Sequence, residues 1–217
     1  MCGIAGYWGE GDELILNSMI DTLSYRGPDD KGIYVNGNIG FAHRRLSIID
    51  LSYAGHQQMS NEDGTIWIIL NGEIYNFPDI KKNLSKKHVF KSATDTEIII
   101  HLYEEIGEKV FEKIQGMFAI AIYDVKKRKL LLARDRMGKQ PLYWGIHNGT
   151  FLFGSELKAL MSHPKFKKEL DIASLNKYFQ YEYVPTPHTM FKNTFKLEPG
   201  HYATYDGATL TKTKFWD

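Results

Sequence analysis

The sequence predicts an α+β fold in which antiparallel sheets are layered with helices. Many short apolar runs are bounded by Gly, Asn or Asp, which is typical of strands, and several pairs of these runs are separated by turn-forming residues. The helical patterns are fewer and stand apart from these hairpins. This order favours layered antiparallel sheets over repeated βαβ units.

The predicted strands start near the N-terminus. Single apolar runs cover residues 4–8, 32–35, 39–43 and 66–70. Hairpins are predicted for 117–123 with 129–133, for 142–146 with 151–153, and for 202–205 with 210–214. Because a single strand or hairpin is not stable alone, these segments must pair with one another.

Two stretches show the apolar period of about 3.6 residues that indicates a helix. The apolar side chains fall on one face in residues 14–23 and again in residues 98–106. Thr94 followed by Glu97 fits a capping box, which places Asp95 in the first helical turn, where a carboxylate is electrostatically favoured. Shorter helices are predicted near residues 78–86, 156–161 and 171–179.

We predict one domain over residues 1–217, with residues 183–217 as a C-terminal extension. The 27 basic and 26 acidic residues leave a net charge of +1, which gives no global field for nucleic acid or an anionic membrane. The single cysteine excludes an intrachain disulfide, and no apolar run approaches the ~20 residues of a membrane span. We therefore expect a cytoplasmic protein that binds neither nucleic acid nor membrane.

The candidate nucleophile is Cys2, which follows the initiator Met1 directly. Removal of Met1 would give this residue both a thiol and a free α-amine. An amine with a pKa of about 7.7 to 8 can accept the proton of a thiol with a pKa of about 8.5, so one residue supplies nucleophile and base. For an isolated cysteine, a small apolar side chain at the start of a strand is the alternative.

Several further motifs follow Cys2 in order along the chain. They are Gly3-Ile4-Ala5-Gly6, Tyr25-Arg26-Gly27-Pro28-Asp29, Arg44-Arg45-Leu46-Ser47-Ile48-Ile49-Asp50, Asn71-Gly72-Glu73-Ile74-Tyr75-Asn76, Thr94-Asp95-Thr96-Glu97, Arg134-Asp135-Arg136 and Ser155-Glu156-Leu157-Lys158. Together they resemble the glutaminase (class II glutamine amidotransferase) domain of glutamine-hydrolysing asparagine synthetases, over nearly the whole chain. The resemblance implies an N-terminal-nucleophile hydrolase fold, an αββα sandwich of two antiparallel sheets between helical layers.

The resemblance also implies a role for each site residue. Cys2 is the nucleophile, and Asn71 and Gly72 form the oxyanion hole. Arg45 meets the α-carboxylate of glutamine, Leu46, Ile48 and Ile49 line the pocket, and Asp95 with Glu73 takes the α-ammonium group. From the residues alone, Asn71-Gly72 favours a hairpin turn, and Asp95 already has a role at the helix N-terminus. Arg26 either raises the positive potential near the thiol or forms structural hydrogen bonds.

The implied function is hydrolysis of L-glutamine through a Cys2 thioester, with ammonia supplied to an ATP-dependent synthetase site. That site would lie on a C-terminal synthetase domain or subunit, which would also use ATP and magnesium, whereas this domain needs no cofactor. A homodimer is compatible with this reading. The alternatives are an amidotransferase that serves a sugar or cell-envelope precursor, another N-terminal-nucleophile amide hydrolase, and a catalytically silent regulatory domain.

The sequence departs from the family pattern at two places. Residues 138–141 read Gly-Lys-Gln-Pro, where an aliphatic residue and a lysine are usual in the middle, and Gln58 stands where proline is common. Neither departure is expected to touch the pocket. Histidines such as His43, His56, His88 and His101 show no metal-ligand spacing with cysteine, so no metal site is predicted.

Overall fold

The computed structural model describes residues 1–84 and 88–217, which form two six-stranded antiparallel sheets with helices on their outer faces. The strands are β1 (Gly3–Trp8), β2 (Asp30–Asn36), β3 (Ile39–Arg45), β4 (Met59–Ser60), β5 (Ile66–Ile74), β6 (Gly116–Asp124), β7 (Lys129–Arg134), β8 (Tyr143–His147), β9 (Thr150–Gly154), β10 (Thr194–Lys196), β11 (His201–Tyr205) and β12 (Leu210–Lys214). The first sheet has the order β10-β8-β9-β1-β3-β2, and the second β12-β11-β7-β6-β5-β4.

The helices are α1 (Glu13–Asp21), α2 (Phe77–Leu84), α3 (Asp95–Ile106), α4 (Val110–Lys113), α5 (Leu157–Met161) and α6 (Ile172–Tyr181). None of the helices in the described residues is long and apolar enough to span a bilayer. Two single 3₁₀ turns, Tyr53–Gly55 and Gly107–Lys109, connect elements.

Alternation of side chains along the strands produces the layers. On β1, Ile4 and Trp8 face the second sheet, whereas Ala5 and Tyr7 face α1 and α5. On β5, Ile69 joins the core between the sheets, and the residues on either side of it pack against α3. Three cores therefore separate helix, sheet, sheet and helix, which confirms the predicted αββα sandwich.

The predicted strands and all three hairpins are confirmed, with differences at their ends. β5 continues to Ile74, so Asn71-Gly72 lies inside a strand and the hairpin interpretation of this dipeptide is wrong. The strands β4 and β10, of two and three residues, were not predicted because they are too short to show a period. Within the predicted extension at 183–217, β10 joins the first sheet and β11 and β12 join the second.

The two main helices are also confirmed. Thr94 caps α3 by accepting a hydrogen bond from the Glu97 amide at 3.4 Å, and Asp95 is its first residue. The Glu97 carboxylate reaches beyond the cap and accepts from the amides of Lys91 and Ser92. Of the helix predicted for 78–86, residues 85–86 lie outside the described residues. The short helix α4 gave no signal in the sequence.

Candidate active site

A cavity of about 560 Å³, including its open mouth, lies where the starts of β1 and α3 approach the ends of β3 and β5. Eight of the nine predicted site residues line it. They are Cys2, Arg45, Leu46, Ile48, Ile49, Gly72, Glu73 and Asp95, together with Met1, Gly55, Gln57, Thr94, Thr96, Met117 and Gln140. Residues distant in sequence thus converge on one concave surface, which is the usual setting of a small-molecule site.

The Cys2 thiol is partly buried at the start of the central strand β1. Its Sγ accepts a hydrogen bond from the Leu46 amide at 3.4 Å and lies 3.7 Å from the Leu46 carbonyl oxygen. Burial raises the pKa of the thiol, although the Leu46 contact and the positive charges of the N-terminal amine and Arg45 oppose this effect. A thiol whose pKa is raised in this way depends on a base before it can attack.

The backbone around Cys2 is fixed by a second set of contacts. Arg26 Nε donates to the Cys2 carbonyl oxygen at 2.9 Å, and its Nη1 pairs with Glu156 at 2.9 Å. The buried Ser155 Oγ accepts from the Ile4 amide at 3.0 Å. These bonds confirm a structural hydrogen-bonding role for Arg26 and hold the start of β1 in register.

Arg45 is buried at the end of β3, and its guanidinium group is held by backbone carbonyls of the loop that follows. It donates to the carbonyl oxygens of Ser52 at 3.1 Å and Ile49 at 3.3 Å, and to that of Asp50. Gly55 makes room for this arrangement, because a Cβ there would lie 1.9 Å from Arg45 Nη2. These contacts leave the Nε–H and one Nη1–H of a guanidinium group that lines the cavity.

Asn71 is fully buried behind the cavity wall and is the one predicted site residue that does not line the cavity. Its Nδ2 donates to Gln140 Oε1 at 3.0 Å, and its Oδ1 has no hydrogen-bond partner among the described residues. Gln140 Nε2 in turn donates to the Met1 sulfur at 3.1 Å. Asn71 is therefore connected to the cavity through Gln140. The side-chain N–H of Gln140 is in turn hydrogen-bonded to the Met1 sulfur.

Gly72 occupies a backbone conformation that only glycine adopts readily. Its φ is 152°, and a Cβ would lie 2.0 Å from the Met117 carbonyl oxygen on the paired strand β6. Without a side chain, the backbone at this position forms part of the cavity wall.

The negative side of the cavity is formed by Asp95 and Glu73. Asp95 is 5% exposed, and its Oδ2 accepts from the Ile74 amide at 2.7 Å. Burial raises the pKa of Asp95, and the nearby charge of Glu73 acts in the same direction. The two negative carboxylates of Asp95 and Glu73 repel each other. A cation bound between them would therefore be stabilised.

The sequence missed two glutamines that support the site. Gln57 bridges β5 and α3, since its Oε1 accepts from the Leu70 amide at 2.7 Å and its Nε2 donates to Thr96 Oγ1 at 3.1 Å. The expectation that residues 138–141 do not touch the pocket is wrong, because Gln140 lines it. Gln58 lies elsewhere and donates to the Ile33 carbonyl oxygen at 2.8 Å.

No cluster of histidines and carboxylates with metal-ligand spacing lies among the described residues that line this cavity. In the described part of the chain, one such group exists, formed by Glu62, His88, His101 and Glu104. The cavity itself offers one thiol, one guanidinium and two carboxylates, which suits a zwitterionic amino acid better than a metal ion.

Comparison with known proteins gives a family match over the same residues. A family model described as a glutamine amidotransferase domain matches residues 1–216. Asparagine synthetase [glutamine-hydrolyzing] 3 of Bacillus subtilis is 36% identical over 226 residues, covering 100% of this chain and 37% of the relative. The B. subtilis synthetase 2 is 41% identical over 215 residues, covering 93% of this chain and 28% of the relative.

A third relative, a putative asparagine synthetase [glutamine-hydrolyzing] 2 of Methanocaldococcus jannaschii, is 35% identical over 242 residues. The match covers 100% of this chain and 47% of the relative. The chain thus spans less than half the length of these relatives. Among solved structures, glutamine phosphoribosylpyrophosphate amidotransferase of B. subtilis superposes with a TM-score of 0.74 at 18% identity, over 99% of this chain and 49% of that one. This likeness supports the fold alone.

Proposed function

Because the chain belongs to the glutamine amidotransferase domain family, we propose that it hydrolyses L-glutamine to glutamate and ammonia, with Cys2 as nucleophile once Met1 is removed. One observation carries the proposal. The cavity brings a thiol, a buried guanidinium and two carboxylates together, which complements a carboxamide, an α-carboxylate and an α-ammonium group in one substrate.

The chemistry starts with proton transfer from the Cys2 thiol to its own α-amine. Sγ then attacks the carboxamide carbon and forms a tetrahedral oxyanion. Collapse of this intermediate breaks the C–N bond, and ammonia leaves with the proton that the α-ammonium group returns. A water molecule hydrolyses the resulting thioester, which releases glutamate and regenerates the thiol. The raised pKa of the thiol supports the need for this adjacent base.

The oxyanion would be stabilised by the backbone amide of Gly72 and by the second Nδ2–H of Asn71, which would have to reach the cavity past Gln140 once Met1 is removed. Gly72 lines the cavity without a side chain, and Asn71 lies behind Gln140. Removal of Met1 would also remove the sulfur atom that occupies the Gln140 amide. Gln140, which lines the cavity, would keep its contact with Asn71 Nδ2. Preorganised donors of this kind typically contribute about 2.7 to 4 kcal/mol each.

Recognition of the amino-acid part would use the opposite ends of the cavity. Arg45 meets the α-carboxylate, and Asp95 with Glu73 meets the α-ammonium group. Leu46, Ile48 and Ile49 would pack along the methylene groups. This division also separates glutamine from simple amides, which lack both charges.

The ammonia would serve an ATP-dependent, asparagine synthetase-like site on a further domain or subunit. The length of the relatives supports this, since the chain covers 28% to 47% of them. ATP and magnesium would belong to that part, and this domain would work without a cofactor. A cytoplasmic location, whose reducing conditions keep the single Cys2 as a thiol, completes the proposal.

The test is glutamine turnover by the purified chain without ATP, with removal of Met1 verified by intact mass. We expect glutamate and ammonia in equal amounts, little activity on asparagine or simple amides, and none in Cys2→Ala. A folded, Met1-free chain that binds glutamine without hydrolysing it would favour the silent regulatory domain. Equal turnover of simple amides would favour a different amide hydrolase.

A further inference from the structure

A group of two imidazoles and two carboxylates lies away from the cavity, on the side of α3 that faces the turn between β4 and β5. We call it the His/Glu cluster, formed by Glu62, His88, His101 and Glu104. We propose that the His/Glu cluster binds one divalent metal ion of the zinc class. The proposal rests on the following contacts and is independent of the glutaminase function.

The spacing of the four side chains fits a tetrahedral ion. Glu104 Oε2 lies 3.1 Å from His101 Nδ1 and 3.6 Å from His88 Nδ1. Glu62 lies 3.7 Å from each of these nitrogens, through Oε2 toward His101 and Oε1 toward His88. Ligands at zinc distances of about 2.0 to 2.1 Å are separated by roughly 3.3 to 3.4 Å in a tetrahedron. The four donor atoms lie within 4.8 Å of one another, and because the two rings are stacked, at least one ring would have to rotate before both Nδ1 atoms face the same ion.

Both carboxylates are oriented by hydrogen bonds from outside the cluster. Asn61 Nδ2 donates to Glu104 Oε1 at 2.8 Å, and the Val89 amide donates to Glu62 Oε1 at 3.2 Å. The other oxygen, Oε2, lies near His101 Nδ1 in both groups, whereas the contact of Glu62 with His88 is made by the same Oε1 that Val89 holds. Outer contacts that fix one carboxylate oxygen and leave the second for the ion are typical of metal sites.

The buried imidazole of His101 provides the second line of evidence. Its side chain is 2% exposed, and its Nε2 has no hydrogen-bond partner among the described residues. Glu97 Oε1 lies 3.9 Å from this nitrogen. When a metal ion binds Nδ1, any proton on Nδ1 is released to solvent. The ring then carries its proton on Nε2, which faces Glu97. A ligating histidine normally donates its other N–H to such a carboxylate.

Ion pairs with protonated histidines are the competing explanation for the cluster. The rings of His88 and His101 are stacked, with centroids 4.4 Å apart and planes inclined by 28°. Although burial opposes it, hydrogen bonds to Glu97 and Glu104 raise the pKa of His101, so one ring can carry a proton, whereas two positive rings at this distance would repel each other. One divalent cation neutralises both Glu62 and Glu104 while the two rings stay neutral.

The donor set selects the class of ion. Calcium and magnesium prefer oxygen ligands, whereas two imidazole nitrogens with two carboxylate oxygens suit zinc and neighbouring transition metals. The expectation of no metal site was based on spacing with cysteine. The cluster escapes that criterion because only His101 and Glu104 are neighbours on one helix, and the fold supplies Glu62 and His88.

The proposal is tested by zinc and cobalt binding to the untagged Cys2→Ala chain, in which the thiol cannot act as a ligand. We expect one ion per chain, a visible absorption band typical of tetrahedral Co²⁺, and no effect of Mg²⁺. At a zinc concentration about a hundred times the Kd, the melting temperature should rise by about 5 to 10 °C.

The variants His88→Ala and Glu104→Gln should each weaken zinc binding at least about tenfold and remove the cobalt band. His201→Ala is the matched control, because His201 contacts the Pro199 carbonyl oxygen and lies outside the cluster. Circular dichroism verifies that each variant is folded. Absence of stoichiometric binding to the parent chain, or binding that both cluster variants retain, would overturn the proposal.

Discussion

The two walls of the cavity are built in different ways. Cys2 directly precedes β1, which pairs with β3 and β9, and Asn71-Gly72 lie on β5, where both residues pair with β6. Arg45 and Asp95 lie where an element ends or begins, and Arg45 depends on carbonyl groups of a loop that includes the exposed Ile48. Strands fix the reacting atoms through packing of two faces, whereas the recognition side relies on a few hydrogen bonds. We therefore expect changes in the first wall to affect turnover and changes in the second to affect substrate binding.

The largest effect should come from the residue that precedes the nucleophile. With Met1 retained, the nitrogen of Cys2 is an amide and cannot accept the thiol proton, and the Met1 side chain stays on Gln140 inside the cavity. Loss of a positioned base typically costs a factor of about 10² to 10⁴ in rate. Steady-state turnover should be compared between a trimmed chain and one with a retained residue, both verified by intact mass. Equal turnover would mean that another group is the base.

This contrast also explains what the sequence could and could not predict. The segments around Cys2 and Asn71 have strong alternation and ordered motifs, so the fold was predictable, and eight of the nine residues proposed for the site line one cavity. The link from Asn71 to Gln140 was not, because it joins residues 69 positions apart through tertiary packing. Gln57 escaped for the same reason, since its partners lie on β5 and α3. Local patterns indicate elements, and side-chain networks between elements require the structure.

The next largest effect should come from Asn71→Ala. We expect kcat to fall by a factor of about 10² to 10³ with little change in KM, because the donor acts on the oxyanion. The variant also leaves Gln140 Oε1 without its partner, which should cost about 1 to 3 kcal/mol of stability. Unfolding in urea separates this cost from the kinetic effect. Asn76→Ala is the control, since Asn76 contacts Lys113 and Gln115 outside the cavity. A rise in KM alone would remove Asn71 from the oxyanion hole.

The contact between β3 and β5, which connects the two walls, should affect how the free energy of unfolding depends on pH. His43 is buried on β3, its Nε2 lies 3.0 Å from the Leu70 carbonyl oxygen on β5, and burial lowers its pKa from 6.5 to about 4. The unfolded chain therefore binds a proton that the folded chain refuses, so stability falls as the pH drops from 6.5 to about 4. A shift of this size corresponds to roughly 3 kcal/mol.

The measurement is the free energy of unfolding in urea at pH 7, 5.5 and 4.5, for the parent chain and His43→Gln. Carboxylates titrate in both chains, so the difference between the two curves isolates the histidine. We expect the parent to lose about 2 to 2.5 kcal/mol more than the variant over this range. Parallel curves would show that the pKa of His43 is not lowered in the folded chain and that water reaches the contact between β3 and β5.

The smallest effect, and the sharpest test of the comparison, should come from the recognition wall. Arg45→Ala should raise KM while kcat changes little, because it removes a charge-assisted contact worth about 1.5 to 3 kcal/mol in the ground state and transition state alike. Arg44→Ala is the matched control. Its side chain pairs with Asp21 and does not line the cavity, so we expect parent-like KM.

Loss of Arg45 also leaves the carbonyl groups of Ile49, Asp50 and Ser52 without their donor, and a disordered loop would raise KM as well. A glutamine analogue without the α-carboxylate separates the two causes. If Arg45 binds that carboxylate, the analogue should be equally poor with the parent and with Arg45→Ala, because the contact is missing from both. If the loop is the cause, the variant should lose the same factor with the analogue as with glutamine, and Arg45 would then be a structural support for Leu46 to Ile49 instead of a substrate ligand.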